Sequence, residues 1–150
     1  MFWDVGGQKS LRKIWTKYFS ECHGVVFLID GSDESRFAEN KEVIDDLYTR
    51  KVVDEAGLPR IEKKASLNAD LESAIDESTD KVLARLPCLF LLNKNDKLEF
   101  RGIDFISKAL GLKEIHCIES VSMPISALDL NGVEAALSWV YRAVSENQKL

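Results

Sequence analysis

Three short polar clusters carry residue types that can handle a phosphorylated base. Asp4-Val5-Gly6-Gly7-Gln8 places a carboxylate, two residues without side chains and a carboxamide in one short run. A carboxylate can hold the water shell of Mg²⁺, a glycine N–H can approach a terminal phosphate, and a Gln can orient water for in-line attack. A simple tight turn accounts for the same glycines. Asn93-Lys94-Asn95-Asp96 comes directly after the apolar run Cys88–Leu92. An Asp there can accept from guanine's ring N–H and amino group together, whereas adenine presents the opposite pattern. The Lys94 stem can lie along such a base and Asn93 can tie neighbouring loops. A polar loop with an Asx turn is the plainer reading of the same residues. Ser126-Ala127-Leu128 offers a backbone N–H for guanine's O6, with Ser126 bracing the loop. By itself that tripeptide is only a loop.

The elements expected around these clusters set all three at strand ends. Gly24–Asp30 reads as a strand apolar on both faces, and Cys88–Asn93 as a second. Glu119–Ile125 can form a third. Leu11, Ile14, Trp15, Tyr18 and Phe19 suggest a short helix after the glycines. Asp33 is the expected N-cap of a long helix from about Glu34 to Asp54, with Phe37, Ile44, Leu47 and Tyr48 as its stripe. Asp104–Leu110 forms a short helix stopped by Gly111. A last helix follows Asn131-Gly132, with Val133, Ala136, Leu137, Val140, Tyr141 and Val144 inward. Strands alternating with amphipathic helices give an α/β fold, a parallel sheet with helices on both faces and ligands at the strands' C-terminal ends.

Charge and composition exclude several classes. The chain of 150 residues has a net charge of -5, 45% hydrophobic and 30% charged residues, the balance of a single soluble domain rather than a nucleic-acid binder. No apolar run is long enough to cross a bilayer. Cys22, Cys88 and Cys117 are odd in number and far apart, which suggests reduced thiols and a cytosolic chain. His23 and His116 lack ligand companions at metal spacing. Leu58–Arg85 is densely charged and flanked by Leu-Pro pairs, so a surface insertion is expected. Leu67, Leu71, Ile75 and Val82 can nevertheless line one helix face.

Taken in order, the three clusters resemble the third, fourth and fifth motifs of the small GTPases. Trp3 before the Asp, the tandem Gly6-Gly7 and Trp15-x-x-Tyr18-Phe19 make the resemblance one to the Arf family, and Tyr18–Val25 points to its Arf-related members of the trans-Golgi. The resemblance implies a switch protein of vesicle and Golgi traffic that binds GTP and GDP with Mg²⁺. Asp4 would contact Mg²⁺ through water, Gly7 the γ-phosphate and Gln8 the attacking water. Asn93, Lys94 and Asp96, with Ser126, Ala127 and Leu128, would hold guanine. Trp3, Leu11, Ile14, Trp15 and Tyr18 would meet effectors, exchange factors and GTPase-activating proteins, although Trp15 suits core packing equally. A monomer is implied, cytoplasmic or peripheral at Golgi membranes.

The sequence has no Gly-x-x-x-x-Gly-Lys-Ser/Thr and no first switch. The expectation is therefore an incomplete small-GTPase (P-loop NTPase) domain, 1–150, without the first strands and first helix. Membrane contact would come only through a missing N-terminal segment. A truncated GTPase and a degenerate relative serving as a non-enzymatic interaction module both fit.

Overall fold

The computed structural model describes residues 1–48 and 85–147, with the backbone of Val52–Val53 and Pro59–Arg60. Its centre is a parallel three-stranded sheet. Strand β1 (Val25–Asp30) pairs with β4 (Cys88–Asn93), which pairs with β5 (Ser120–Pro124), in the order β1-β4-β5. The registers Asp30↔Asn93 and Leu92↔Pro124 bring the C-terminal ends of all three to one edge. The helices are α1 (Thr16–Phe19), α2 (Phe37–Leu47), α3 (Ile103–Ala109) and α4 (Val133–Asn147). The backbone of β2 (Val52–Val53) and β3 (Pro59–Arg60) forms a separate antiparallel pair.

β4 is the core because its side chains alternate between two covered faces. Cys88, Phe90 and Leu92 join Phe37 and Ile44 of α2 and Ile106 of α3 on one side. Leu89 joins Ala136, Trp139 and Ala143 of α4 on the other. An uninterrupted apolar run suits that position, since each residue meets a helix whichever way the pleat turns it. Phe27 stacks on Phe90 with ring centroids 5.2 Å apart. The α/β class and the three strands agree with the sequence.

β1 differs from expectation: Val26 and Leu28 are 42% and 66% exposed. Their register partners Leu89 and Leu91 lie in the cluster that α4 covers. Thus α4 shields the β4–β5 half of this face and leaves the β1 half open. The long helix expected to Asp54 ends at Leu47. Tyr48 leaves helical geometry at φ -118°, ψ 31°, and Val52–Val53 takes the extended form that suits β-branched side chains. Asp33 does not cap that helix, because its carboxylate accepts the Ser35 hydroxyl and Glu34–Arg36 starts as a 3₁₀ turn.

Three further expectations change. The residues before Gly6 form no strand; among the described residues none pairs with them. In the post-glycine segment (a 3₁₀ turn Arg12–Ile14, then α1), Arg12 is buried and Leu11 exposed, because Arg12 has partners for its charge. The α4 stripe is rotated: Ala136, Trp139 and Ala143 are buried, while Leu137 and Tyr141 are exposed. Trp139 wins the inward place because its indole N–H also finds the Glu119 carboxylate, at 3.2 Å. Leu58–Arg85, with Leu67, Leu71, Ile75 and Val82, lies outside the described residues apart from the Pro59–Arg60 backbone and exposed Arg85. All three cysteines are free, and Cys88 is fully buried. No described helix is long and apolar enough to cross a membrane.

Candidate guanine-binding site

Two loops leave the sheet side by side at its C-terminal edge. The first runs from β4 through Asn93–Asp96, the second from β5 through Ile125–Leu128. Asn93 Oδ1 accepts the Ala127 N–H at 3.0 Å, and Asn95 N–H donates to Ile125 O at 3.0 Å. These bonds bring five of the expected residues (Asn93, Lys94, Asp96, Ser126, Ala127) to one rim. Ser126 is fully buried, and its hydroxyl oxygen accepts from the N–H groups of Leu128 (3.2 Å) and Asp129 (3.3 Å). A buried hydroxyl that satisfies two loop amides is a brace, and Leu128 itself is exposed.

Lys94 and Asp96 stand on this braced base. Asp96 is exposed at the tip of its loop. Lys94 has φ +68°, a left-handed backbone that lysine rarely adopts. Its ammonium donates to Asp30 Oδ2 at 2.5 Å, from the end of one strand to the end of the next. Burial would raise the Asp30 carboxyl, but the Lys94 ammonium and Ser32 donors override it and hold the group below the usual carboxylate range. The Asp30 carboxylate in turn pushes Lys94 up. The side-chain oxygen of Asn95 is buried without a partner among the described residues.

The Asp4–Gln8 cluster is built differently. Asp4, Gly6, Gly7 and Gln8 are exposed on a segment without strand or helix. A Cβ at Gly7 would meet nothing within 4 Å, so no described residue crowds that position. The carbonyls are nevertheless held: Trp15 Nε1 donates to Gly6 O (3.1 Å) and Arg12 Nε to Gly7 O (3.0 Å). Arg12 also pairs with Glu39 of α2 at 2.5 Å, holding the Glu39 carboxyl below its ordinary range. Trp3 lies against Tyr18 at 5.5 Å, while Trp15 meets Phe27 of the sheet at 6.3 Å and is half-buried. Leu11 is exposed and Ile14 half-buried.

Sequence reasoning missed Asp30 and Arg12. Asp30 carried a readable signal, a lone carboxylate ending an apolar strand just as Asn93 ends β4. Arg12 carried none, because an Arg followed by a Lys is ordinarily a solvated side chain.

The profile of the ADP-ribosylation factor family matches residues 1–79 of this chain. The chain belongs to that family. ADP-ribosylation factor-related protein 1 of Homo sapiens is 32% identical over 98% of the chain. ADP-ribosylation factor-like protein 3 of Saccharomyces cerevisiae is 30% identical over 99% of it. The chain spans 59% and 61% of the lengths of these two relatives. The Arl6 small GTPase of Trypanosoma brucei, solved with the nucleotide analogue GppNp, superposes with a TM-score of 0.67 at 23% identity. That match covers 96% of this chain and 71% of the other, and it shows that the fold is shared.

The family implies guanine nucleotide and Mg²⁺, and the residues fit the two unequally. The exposed Asp96 carboxylate is an acceptor of the kind that guanine's ring N–H and amino group would take, with the Lys94 stem and the Ala127 N–H beside it. Mg²⁺ finds less. Asp4 is exposed, and among the described residues no three His, Cys, Asp or Glu side chains are grouped to hold a metal ion. A single carboxylate would hold Mg²⁺ only together with waters and substrate phosphates.

Proposed function

We propose that this chain is the guanine-recognising part of an Arf-type GTP switch of vesicle and Golgi traffic. The observation that carries the reading is the Asn93 Oδ1 to Ala127 N–H bond, which joins two motif loops beside Asp96. Asp96 accepts guanine's ring N–H and amino group, and adenine, with its reversed pattern, gains neither bond. The Lys94 stem covers one side of the base. Ala127 N–H already donates to Asn93, so guanine's O6 shares that donor or displaces the carboxamide.

Asp4, Gly7 and Gln8 take the phosphate-side roles by family pattern: water-mediated contact to Mg²⁺, a γ-phosphate contact and orientation of the attacking water. GTP hydrolysis belongs to a domain that also has a phosphate-binding loop, first strands and first helix. The open β1 half of the sheet supports this reading of the domain as partial. Trp3, Leu11, Ile14, Trp15 and Tyr18 form the surface for effectors, exchange factors and GTPase-activating proteins.

Titration of the chain with GMP and AMP, followed by amide NMR, tests base recognition. GMP should shift Asn93–Asp96 and Ser126–Leu128 and AMP should not; equal shifts, or none, would sink the reading. Asp96→Asn should move preference from GMP toward XMP, because an amide N–H₂ can donate to xanthine's extra carbonyl.

A second reading, a non-enzymatic interaction module, draws on the Trp3–Tyr18 pair and the exposed Asp4–Gln8 run. Gln8→Leu, in a protein that also carries the phosphate-binding loop, separates the two. It should slow single-turnover GTP hydrolysis by a switch while leaving GTP binding nearly intact, whereas a module shows no hydrolysis for it to slow.

A further inference from the structure

We infer that Asp30 is a positioning residue of the guanine pocket, holding the Lys94 ammonium at the end of β1 so that the lysine stem flanks the base and Asp96 stays free to read it. The inference rests on the guanine reading above and adds a residue outside the three motif clusters.

The geometry on which it stands is over-determined. Asp30 is registered with Asn93, the residue before Lys94. Its Oδ1 accepts from both the Ser32 N–H (3.0 Å) and the Ser32 hydroxyl (2.7 Å), which leaves Oδ2 aimed at Lys94. The turn carrying Asp30 is locked onto the Asn93 loop as well. Gly31 N–H donates to Asn93 O at 2.9 Å, and a Cβ on Gly31 would stand 2.5 Å from the Phe100 ring and 3.1 Å from Asn93 O. The distance between carboxylate and lysine backbone is therefore set by main-chain packing. The left-handed Lys94 backbone at φ +68° is the kind of local strain that persists only where surroundings hold it.

The consequence concerns charge. The Lys94 ammonium lies in the field of Asp30, Asp33 and Asp96, and Asp30 is the one it bonds. Without that partner, the ammonium is drawn to the next carboxylates. On Asp96 it would occupy the oxygens that guanine's N–H groups need. Asp30 thus acts through Lys94 and touches no base.

The test uses the whole chain and GMP. In the free wild-type chain, the Lys94 ζ-ammonium NMR signal should be protected from proton exchange, and Asp30→Asn should remove that protection. Asparagine keeps a carbonyl oxygen for Ser32, so the turn survives, as the amide spectrum will show. The two side chains are 42% and 32% exposed, which limits the effect: Asp30→Asn should raise the Kd for GMP roughly three- to fivefold. Asp30→Glu should recover part of the loss. An unprotected Lys94 in the wild-type chain overturns the inference. So does unchanged GMP affinity in a folded Asp30→Asn chain, or failure of Glu to recover any affinity. If Asp96→Asn abolishes the GMP response while Asp30→Asn leaves it intact, the guanine reading stands and only this inference falls. No GMP response in the wild-type chain sinks both.

Discussion

The rim formed by the β4 and β5 loops and the run Asp4–Gln8 are both motif segments, yet only the first is built by the chain's own core. The rim grows from a strand with Cys88, Leu89, Phe90 and Leu92 fully buried, and each loop is bonded to the other. Among the described residues no strand lies beneath the Asp4–Gln8 run, which is held by the side chains of Arg12 and Trp15, with Glu39 of α2 anchoring Arg12. A buried strand fixes where its last residue points to within the tolerance of core packing. An exposed run inherits no such constraint. The loop rim is therefore preorganised in this chain and the Asp4–Gln8 run is not.

Breaking the core should have the largest effect. Phe90→Ala removes a fully buried ring stacked on Phe27, at a cost of about 3–5 kcal/mol. A thermal melt should show a drop large enough to threaten the folded state. If Tm barely moves, β4 is not the support of the rim.

Glycines sharpen the contrast. Gly132 has φ +75°, and a Cβ there would sit 2.5 Å from Pro124 O at the end of β5, so Gly132→Ala should cost about 1–3 kcal/mol in denaturant unfolding. Gly7 is its counterpart in the exposed run.

Asn93→Ala should cost about 1 kcal/mol and speed hydrogen exchange at Ala127, since that N–H loses its acceptor. Unchanged exchange at Ala127 would show that the loops are joined by something else.

Acid should loosen both regions modestly. Asp30, Glu39 and Glu119 are all held below their ordinary values, mainly by Lys94, Arg12 and Arg142 respectively. Their folded-state values lie under the unfolded ones, so their stabilisation is complete above the usual carboxylate range. It fades as pH falls through the lowered values. Tm should stay level from neutral pH to about 5 and decline below about 4, where unfolded carboxylates titrate. Arg142→Ala should make that decline shallower.

The smallest effect belongs to Gly7→Ala. With open space around the added carbon, stability should change by no more than about 0.5 kcal/mol. A large loss would mean that the run is packed after all.

Much of this was legible in residue order. Cys88–Asn93 announces a strand covered on both faces, because five consecutive residues offer no polar side to water until Asn93. Gly111 and Gly132 mark helix boundaries that their positive φ values confirm. The helix expected to Asp54 failed because its stripe persists only to Tyr48, and periodicity says little about where a helix ends. In α4, the expected stripe has Leu137 inward and omits Trp139. Their places were decided by the Glu119 carboxylate, which offers the indole N–H an acceptor.

By itself the sequence determined the strand cores, the order of the three polar clusters and their position after apolar runs, since hydrophobic patterning and turn residues act over a few neighbours. Only the tertiary structure decided which clusters meet. Asn93 reaches Ala127 across 34 positions and Lys94 reaches Asp30 across 64, because parallel pairing sets the three strand ends on one edge. The same topology buries Arg12, whose partners are a glycine carbonyl nearby and a helix 27 residues on. It also leaves Val26 and Leu28 open, since α4 covers only the β4–β5 half of that face. Burial is a property of what packs against a strand, and no run of residues contains its own neighbours.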